Sequence, residues 1–304
     1  MANLKGKVFI IQGPTASGKT SLAIQLAKTL KTEIISADSR QFYREMSIGT
    51  AKPSEEELSQ VKHHFVHSHS IHKEISASQF AQEAQPFLDK LLEQNGAAVI
   101  VGGSGMFIDA LTLGLDDIPH DTEIQKKWTF LYETEGLEYL QNELARLDPV
   151  YFSKVDKMNS VRLIRALEVI ELTGKPFSEL RKGSNKHSYS IERFGIAWNR
   201  SDLYNRIDQR VDFMIEAGLL EEAKSLFPLR NLKALNTVGY SEFFRYWKNE
   251  FNYEEATEKI KQHTRNYAKR QLTWIKRYSD IIDLDPYSDK TLIEQLISHL
   301  NVSE

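Results

Sequence analysis

The sequence predicts an α/β fold: a mostly parallel sheet flanked by helices, interrupted by a small helical insertion. Three observations predict it. Apolar strand-like runs alternate with helix-patterned segments over residues 1–118, a glycine-rich turn sits at the first strand-to-helix junction, and a charged helical stretch breaks the alternation before a strand pattern returns at 191–198. Short apolar strands that alternate with helices are covered on both faces, which is the condition of a parallel sheet.

The elements follow in order. Residues 8–12, Val-Phe-Ile-Ile-Gln, are a β-type run ending in a Gly-Pro turn. Leu22, Leu26 and Leu30 then recur at helical spacing. Residues 33–36 form a second short strand. A helix over 79–93 puts Phe80, Ala84, Phe87, Leu88, Leu91 and Leu92 on one side and stops at Asn95-Gly96. Residues 97–101 are a buried-type strand running into Gly102-Gly103-Ser104-Gly105. After Pro119 the character changes. Residues 121–173 are helical and charged, with Leu131, Leu137, Leu140 and Leu144, then Leu163, Ile164, Leu167 and Ile170. Gly174-Lys175-Pro176 closes that stretch, and a polar loop is expected over 181–190. The strand at 191–198 returns the chain to the sheet, so 119–190 reads as an insertion in a core made of 1–118 and 191–304. The remainder reads as helical, over 204–218, 219–227, 241–248 and 253–278.

Hydrophobic residues at 41% and charged residues at 27% are ordinary globular values and exclude disordered and collagenous classes. The lack of any cysteine excludes thiolate nucleophiles, cysteine zinc sites and disulfides, and suits a reducing compartment. No apolar run approaches the ~20 residues of a membrane span, and the start of the chain has no signal-peptide pattern. A cytoplasmic enzyme, by default a monomer, is expected. The net charge of −3 argues against non-specific nucleic-acid binding. The segment 261–277, however, carries Lys261, Arg265, Lys269, Arg270, Lys276 and Arg277 with no acidic residue, which fits either a solvated helix face or a specific polyanionic partner.

Gly13-Pro14-Thr15-Ala16-Ser17-Gly18-Lys19-Thr20 matches the phosphate-loop pattern G-x-x-x-x-G-K-[ST] in the required strand–loop–helix setting, which makes the core a P-loop α/β unit. Its amides and the following helix N-terminus attract an anion. Lys19 would neutralise phosphate oxygens, and Thr20 would place its hydroxyl on Mg²⁺. The motif implies a polyphosphate, not hydrolysis. No Asn-Lys-x-Asp base-reading segment is present, and the strand at 97–101 ends in Gly102-Gly103 where a motor NTPase has an aspartate. Asp38, at the carboxyl end of the second strand, faces the crevice where α/β ligands bind, and could ligate Mg²⁺ or act as a base.

Taken together the segments resemble the bacterial tRNA dimethylallyltransferases (tRNA isopentenyltransferases) from end to end. The resemblance is carried by GPTASGKT at 13–20, SADSRQFYREMSIGTAKP at 36–53, HHFVHSHS and SASQF within 63–80, VIVGGSGMFIDAL at 99–111, VRLIRALEVIELTGKP at 161–176, VGY at 238–240 and TRNYAKRQLTWIKR at 264–277. The resemblance implies transfer of a dimethylallyl group from dimethylallyl diphosphate to N6 of the adenine 3′ of the anticodon. It implies residues 13–20 as the diphosphate site with Mg²⁺ on Thr20, and Lys19, Asp38 and Ser104 as catalytic residues, Asp38 as the base toward N6. Ser104 stands where the family has Thr. As contacts to the tRNA anticodon stem-loop it implies Asp38, Ser39, Arg40 and Gln41, the run Val161, Arg162, Leu163, Ile164 and Arg165, and Arg265, Lys269 and Arg270 of the basic stripe. Gln41 would read a base edge, and Arg162 and Arg165, three apart, would meet neighbouring phosphates. The insertion would thus be a tRNA-contacting domain. Trp274 is expected as core. The chain departs from the family at Gln125, Lys126 and Lys127, where an Arg is common, and at Ser241, where Gly-Tyr is followed by Arg. His63, His64, His67, His69 and His72 lack the cysteines or carboxylates of a metal site and are expected in a connecting strand and loop. Alternative readings are an adenylate isopentenyltransferase with AMP, ADP or ATP as acceptor, a P-loop small-molecule kinase, and a non-catalytic RNA-binding or nucleotide-sensing module.

Overall fold

A six-stranded sheet, parallel in every pairing, carries the larger of two units into which backbone contacts divide the chain. The computed structural model describes residues 6–114, 118–180 and 188–302. The larger unit is Met1–Leu113 with His187–Glu304, the smaller Gly114–Lys186.

The larger unit begins β1 (Lys7–Gln12), α1 (Lys19–Leu30), β2 (Ile34–Ser36), α2 (Glu55–Gln60), β3 (His63–His64), α3 (Ala77–Asn95), β4 (Ala97–Gly102) and α4 (Gly105–Thr112). The smaller unit holds α5 (Thr122–Glu135), α6 (Leu137–Leu147), α7 (Pro149–Phe152), α8 (Ser160–Thr173) and α9 (Phe177–Leu180). The larger unit resumes with β5 (Ser190–Ile196), α10 (Arg200–Glu216), α11 (Leu219–Leu226) and α12 (Ser241–Trp247), followed by α13 (Tyr253–Ile275), β6 (Ile281–Leu284) and α14 (Leu292–Val302).

The strand order is β3-β2-β4-β1-β5-β6. Val8, Ile10, Ile35, Ala98 and Ile100 bury one face of the sheet, in a core shared with α3, α4, α11, α12 and the start of α13. Phe9, Ile11, Ile34, Val99 and Val101 bury the other, beneath α1 and α14. Both faces being covered explains why the strands read as continuous apolar runs.

Two expectations need correction. The chain after 198 is not wholly helical, because Ile281–Leu284 pairs parallel with β5 from Arg193↔Ile281 to Ile196↔Leu284. A four-residue apolar run is too short for periodicity to separate strand from helix end. The polar loop expected over 181–190 lies outside the described residues for 181–187, and Ser190 already belongs to β5, opposite Lys7.

Taken by itself, the smaller unit packs Trp128, Leu140, Leu144, Leu163, Ile164 and Leu167 into its own core. Glu168 is fully buried there and accepts from His120 Nδ1 at 2.6 Å, the Asp121 amide at 2.9 Å and Arg165 Nη1 at 2.8 Å. Asp148, also buried, caps α7 through the Tyr151 amide and accepts from the amide and hydroxyl of Ser178. Asp148 thus has donors on both of its oxygens, as burial of a carboxylate requires, whereas the three donors to Glu168 all meet Oε1.

In the larger unit β1, β2 and β4 end level, with Gln12 opposite Gly102 and Ser36 opposite Val101. Their loops consequently emerge side by side. Gly102 permits this: a Cβ there would lie 2.2 Å from the Ala37 carbonyl oxygen and 2.6 Å from its carbon. Backbone cannot yield as a side chain does. Gly102→Ala is expected to force β2 from β4 and cost about 1–3 kcal/mol, the usual range for overpacking, read as a lower urea midpoint at unchanged m-value.

Candidate active site

The phosphate loop leaves β1 at Gly13 and turns into α1 at Gly18, whose φ of 92° is left-handed and open to glycine without strain. Helix α1 has neither a side-chain cap nor an acidic residue in its first turn. Its leading N–H groups and the positive end of its dipole therefore point at whatever occupies the loop. The loop's carbonyls are held from behind. Trp198 Nε1 donates to Ser17 O at 2.9 Å, Arg206 Nε to Ala16 O at 2.9 Å and Lys19 Nζ to Pro14 O at 3.2 Å. Gln271 on α13 accepts from the Thr15 amide at 2.9 Å and donates to Gly103 O at 3.0 Å, joining the loop to the end of β4.

In front of the loop lies a cavity of about 920 Å³, lined wholly by the larger unit. Thr15, Ala16, Gly18, Lys19 and Thr20 line it, whereas Gly13, Pro14 and Ser17 shape the loop without reaching the wall. Burial pushes the Lys19 ammonium down to about 8; the Asp38 carboxylate opposes that shift and the Arg210 charge adds to it. Asp38 lines the cavity while its Oδ1 accepts the Arg40 amide at 3.0 Å, closing the turn after β2. Ser39 and Arg40 line it too, Arg40 tethered through Nη1 to Ala234 O at 3.3 Å.

Further along the wall, Glu222 accepts from the amides of Ser47, Ile48 and Gly49 and from the Tyr240 hydroxyl, fixing the turn that presents Thr50, Ala51 and Lys52. Lys52 donates to Tyr43 O and contacts His67 Nδ1, and burial pushes it down to about 8 against the raising influence of Glu222 and Glu45. Buried Glu242 accepts from the Gly239 amide at 2.8 Å and from His263 Nδ1 at 2.6 Å. Ser241 directs its hydroxyl to Thr237 O at 2.7 Å.

Several residues named from the sequence have other positions. Ser104 does not line the cavity; its Oγ accepts the Ser39 amide at 3.0 Å and so steadies the turn carrying Asp38. Tyr267 lines the wall with its hydroxyl hydrogen-bonded to that of Ser104; burial and the Asp38 charge push it up to about 12, so it keeps its proton at neutral pH. Gln41 lines the cavity, but its Nε2 already donates to Thr50 O and Ala51 O, which leaves only its oxygen to read a base. Arg265 is paired with Asp208 and off the wall, and Lys269 is exposed and off it; Arg270 alone of the three lines it. In the smaller unit Leu163 and Ile164 are core residues, so neither side chain can meet RNA, and Arg165 is committed to Glu168 and to Ile118 O. Val161 and Arg162 are exposed. Lys126 pairs with Glu123 and Lys127 with Glu171. Trp274 packs on Gly105, where a Cβ would lie 2.0 Å from its ring, and donates to Asp109. His64 pairs with Glu33 and His69 with Glu83, and among the described residues no three metal-ligating side chains cluster.

The sequence reading missed Arg206, Arg210, Tyr267 and Gln271. The signal was present on α10, where Arg206 and Arg210 lie four apart and so share a face. Arg210 Nη2 donates to Ala51 O at 3.1 Å, and burial lowers its pKa. The oxygen donors Thr20 and Asp38 on one wall are the hard ligands that suit Mg²⁺, which commonly keeps phosphate and water oxygens for its other positions.

The chain is similar along nearly its whole length to known proteins. The family model described as IPP transferase matches residues 41–278. A tRNA dimethylallyltransferase of Christiangramia forsetii is 45% identical over 295 residues, 96% of this chain and 97% of that one. One of Flavobacterium psychrophilum is 44% identical over 96% of this chain and 97% of its own. Among solved structures, the full-length tRNA isopentenylpyrophosphate transferase of Bacillus halodurans matches with a TM-score of 0.71 and 34% identity, covering 98% of this chain and 95% of that one. A eukaryotic dimethylallyltransferase acting on tRNA matches with a TM-score of 0.81 and 27% identity, covering 98% and 80%.

Two outcomes follow from the buried ammonium. Its folded pKa of about 8 lies below the ordinary 10.5, so between these values the unfolded chain binds more protons and stability rises with pH. At pH 7 the folded protein carries the charge at a cost. Lys19→Met is accordingly expected to raise the thermal midpoint at pH 7 while abolishing diphosphate binding, checked by calorimetry and titration. Sulfate, whose charge does not vary, is expected to bind with constant affinity below pH 8 and more weakly as pH rises above it. Lys52→Arg should retain that slope, because Lys52 titrates in the same range on the same wall.

Proposed function

The chain belongs to the IPP transferase family and is an enzyme of prenyl transfer to tRNA, and from that premise we propose that it moves the dimethylallyl group of dimethylallyl diphosphate to N6 of the adenine 3′ of the anticodon. The observation that carries this reading is the presence, on one cavity wall, of a phosphate loop and of the Asp38 carboxylate, in a space of about 920 Å³. That volume is at the upper end of the ~300–1,000 Å³ of sites that enclose one whole small ligand, which suits a diphosphate ester and a nucleobase together.

The diphosphate lies against the loop amides and the Lys19 ammonium, with Arg206 and Arg210 on the adjoining wall. As the allylic C1–O bond breaks, negative charge grows on the departing diphosphate, and these fixed donors stabilise it without rearranging. Adenine N6 is a weak nucleophile because its lone pair is shared with the ring. Asp38 accepts the N6 proton as the N6–C1 bond forms, so N6-(dimethylallyl)adenosine and diphosphate leave, with the proton on the carboxyl. Ser104 acts through the Ser39 amide to hold Asp38 in place, and Tyr267 keeps a hydroxyl proton beside it. Thr20 would hold Mg²⁺, which supplies charge neutralisation of the diphosphate oxygens when bound.

The test offers the protein Mg²⁺, dimethylallyl diphosphate and either an unmodified anticodon stem-loop or AMP, with digestion and mass spectrometry of the products. Prenylated adenosine is expected from the RNA alone, and Asp38→Ala should lower turnover by about 10²–10⁴, the usual worth of a general base, while stem-loop affinity stays near wild type. Product on AMP alone would make the chain an adenylate-type transferase; phosphoryl transfer from ATP without prenyl transfer would make it a kinase.

A further inference from the structure

On α10, Arg206, Arg210 and Phe213 follow at intervals of four and three residues, share one helix face and all line the cavity. The two arginines are anchored, to Ala16 O and Ala51 O. Phe213 differs: it is 66% exposed, and among the described residues it is the large apolar side chain that is both exposed and on this wall. The helix is seated by its buried Leu203, Ile207 and Val211, without Phe213. Arg245 and Arg270 stand on the same wall. Cations that meet phosphates beside a flat apolar face that meets a base are the combination by which proteins hold single-stranded nucleic acid. The chemistry supplies a base in need of such a face: withdrawing the acceptor adenine from its stack strips the next base of a neighbour.

We propose that Phe213 stacks on a nucleobase of the anticodon loop and holds the opened loop at the rim of the cavity. The proposal rests on the tRNA reading given above.

The experiment measures KM for an anticodon stem-loop and for dimethylallyl diphosphate separately, in wild type and in the Phe213→Ala, Phe213→Leu and Phe213→Trp variants. Ala and Leu are expected to raise KM for the stem-loop by roughly five- to a hundredfold, the range of a single base–aromatic stack, with KM for dimethylallyl diphosphate unchanged. Trp, which keeps a flat π-face, is expected to stay close to wild type and shows that the position tolerates change. An unchanged stem-loop KM in Phe213→Ala overturns the proposal. So does a rise in KM for dimethylallyl diphosphate that Leu restores, which would make Phe213 an apolar wall for the prenyl group. Absence of transfer to the stem-loop by wild type would instead remove the functional reading, and the stacking role with it.

Discussion

Gln271 is a single buried amide whose two ends satisfy two loops: its oxygen takes the Thr15 amide, and its nitrogen gives to the Gly103 carbonyl. A phosphate cradle needs its N–H groups facing a ligand, and the loop has little hydrogen bonding of its own; the Ser17 amide reaches Pro14 O only at 3.4 Å. The outward carbonyls must therefore be satisfied by side chains: Trp198 and Arg206 supply them from elsewhere in the unit, and Lys19 from within the loop. A buried polar group left without a partner costs about 1–3 kcal/mol. The loop conformation is thus a property of the whole larger unit and not of its eight-residue motif. The levelling of β1, β2 and β4, which Gly102 makes possible, places Gly103 within reach of the same amide.

The site also shows where stability has been given up. Ala16 sits at φ 63°, a left-handed conformation that β-carbon sterics disfavour. The first turn of α1 has no side-chain cap, and Lys19 is a half-buried ammonium whose charge burial disfavours. The uncapped turn and the ammonium are compensated by an anion in the loop, whereas the strain at Ala16 persists and is borne by the surrounding structure. The surrounding clamps and the small cluster of Leu203, Ile207 and Ala268 beneath Ala16 are what hold such a loop in one shape.

The parts of the site that could be read from the sequence are those whose meaning is local. The phosphate loop and Asp38 are recognisable because motif and strand end lie within a few residues of each other. What the sequence could not show is which way a side chain points and what it already holds. Gln41 has the chemistry to read a base, but two carbonyls take its nitrogen. Ser104 has a hydroxyl, but it accepts an amide behind the wall. Leu163 and Ile164 sit between exposed Val161 and Arg162 on one side and tethered Arg165 on the other, yet face inward, because a helix alternates its faces within a turn. Conversely Arg206 and Arg210 escaped because a cationic pair on a polar, mixed-charge helix outside any motif has the same spacing as a solvated face. Strand β6 escaped for a different reason: its identity comes from pairing with β5, a contact across some ninety residues that no local period encodes.

The Thr15–Gln271 bond joins residues 256 positions apart. On a ribosome adding about 5–20 residues per second, the nascent phosphate loop waits on the order of ten to fifty seconds before its clamp exists. Arg206 and Trp198 arrive earlier, so the loop is braced in stages and closed last from α13. Non-local contacts of this span are slow to form because the intervening chain must be ordered first. The oldest segment of the growing polypeptide is therefore among the last to acquire its working shape. A truncated product lacking α13 would keep the whole phosphate-loop motif in its sequence and yet lack the amide that joins that loop to the end of β4.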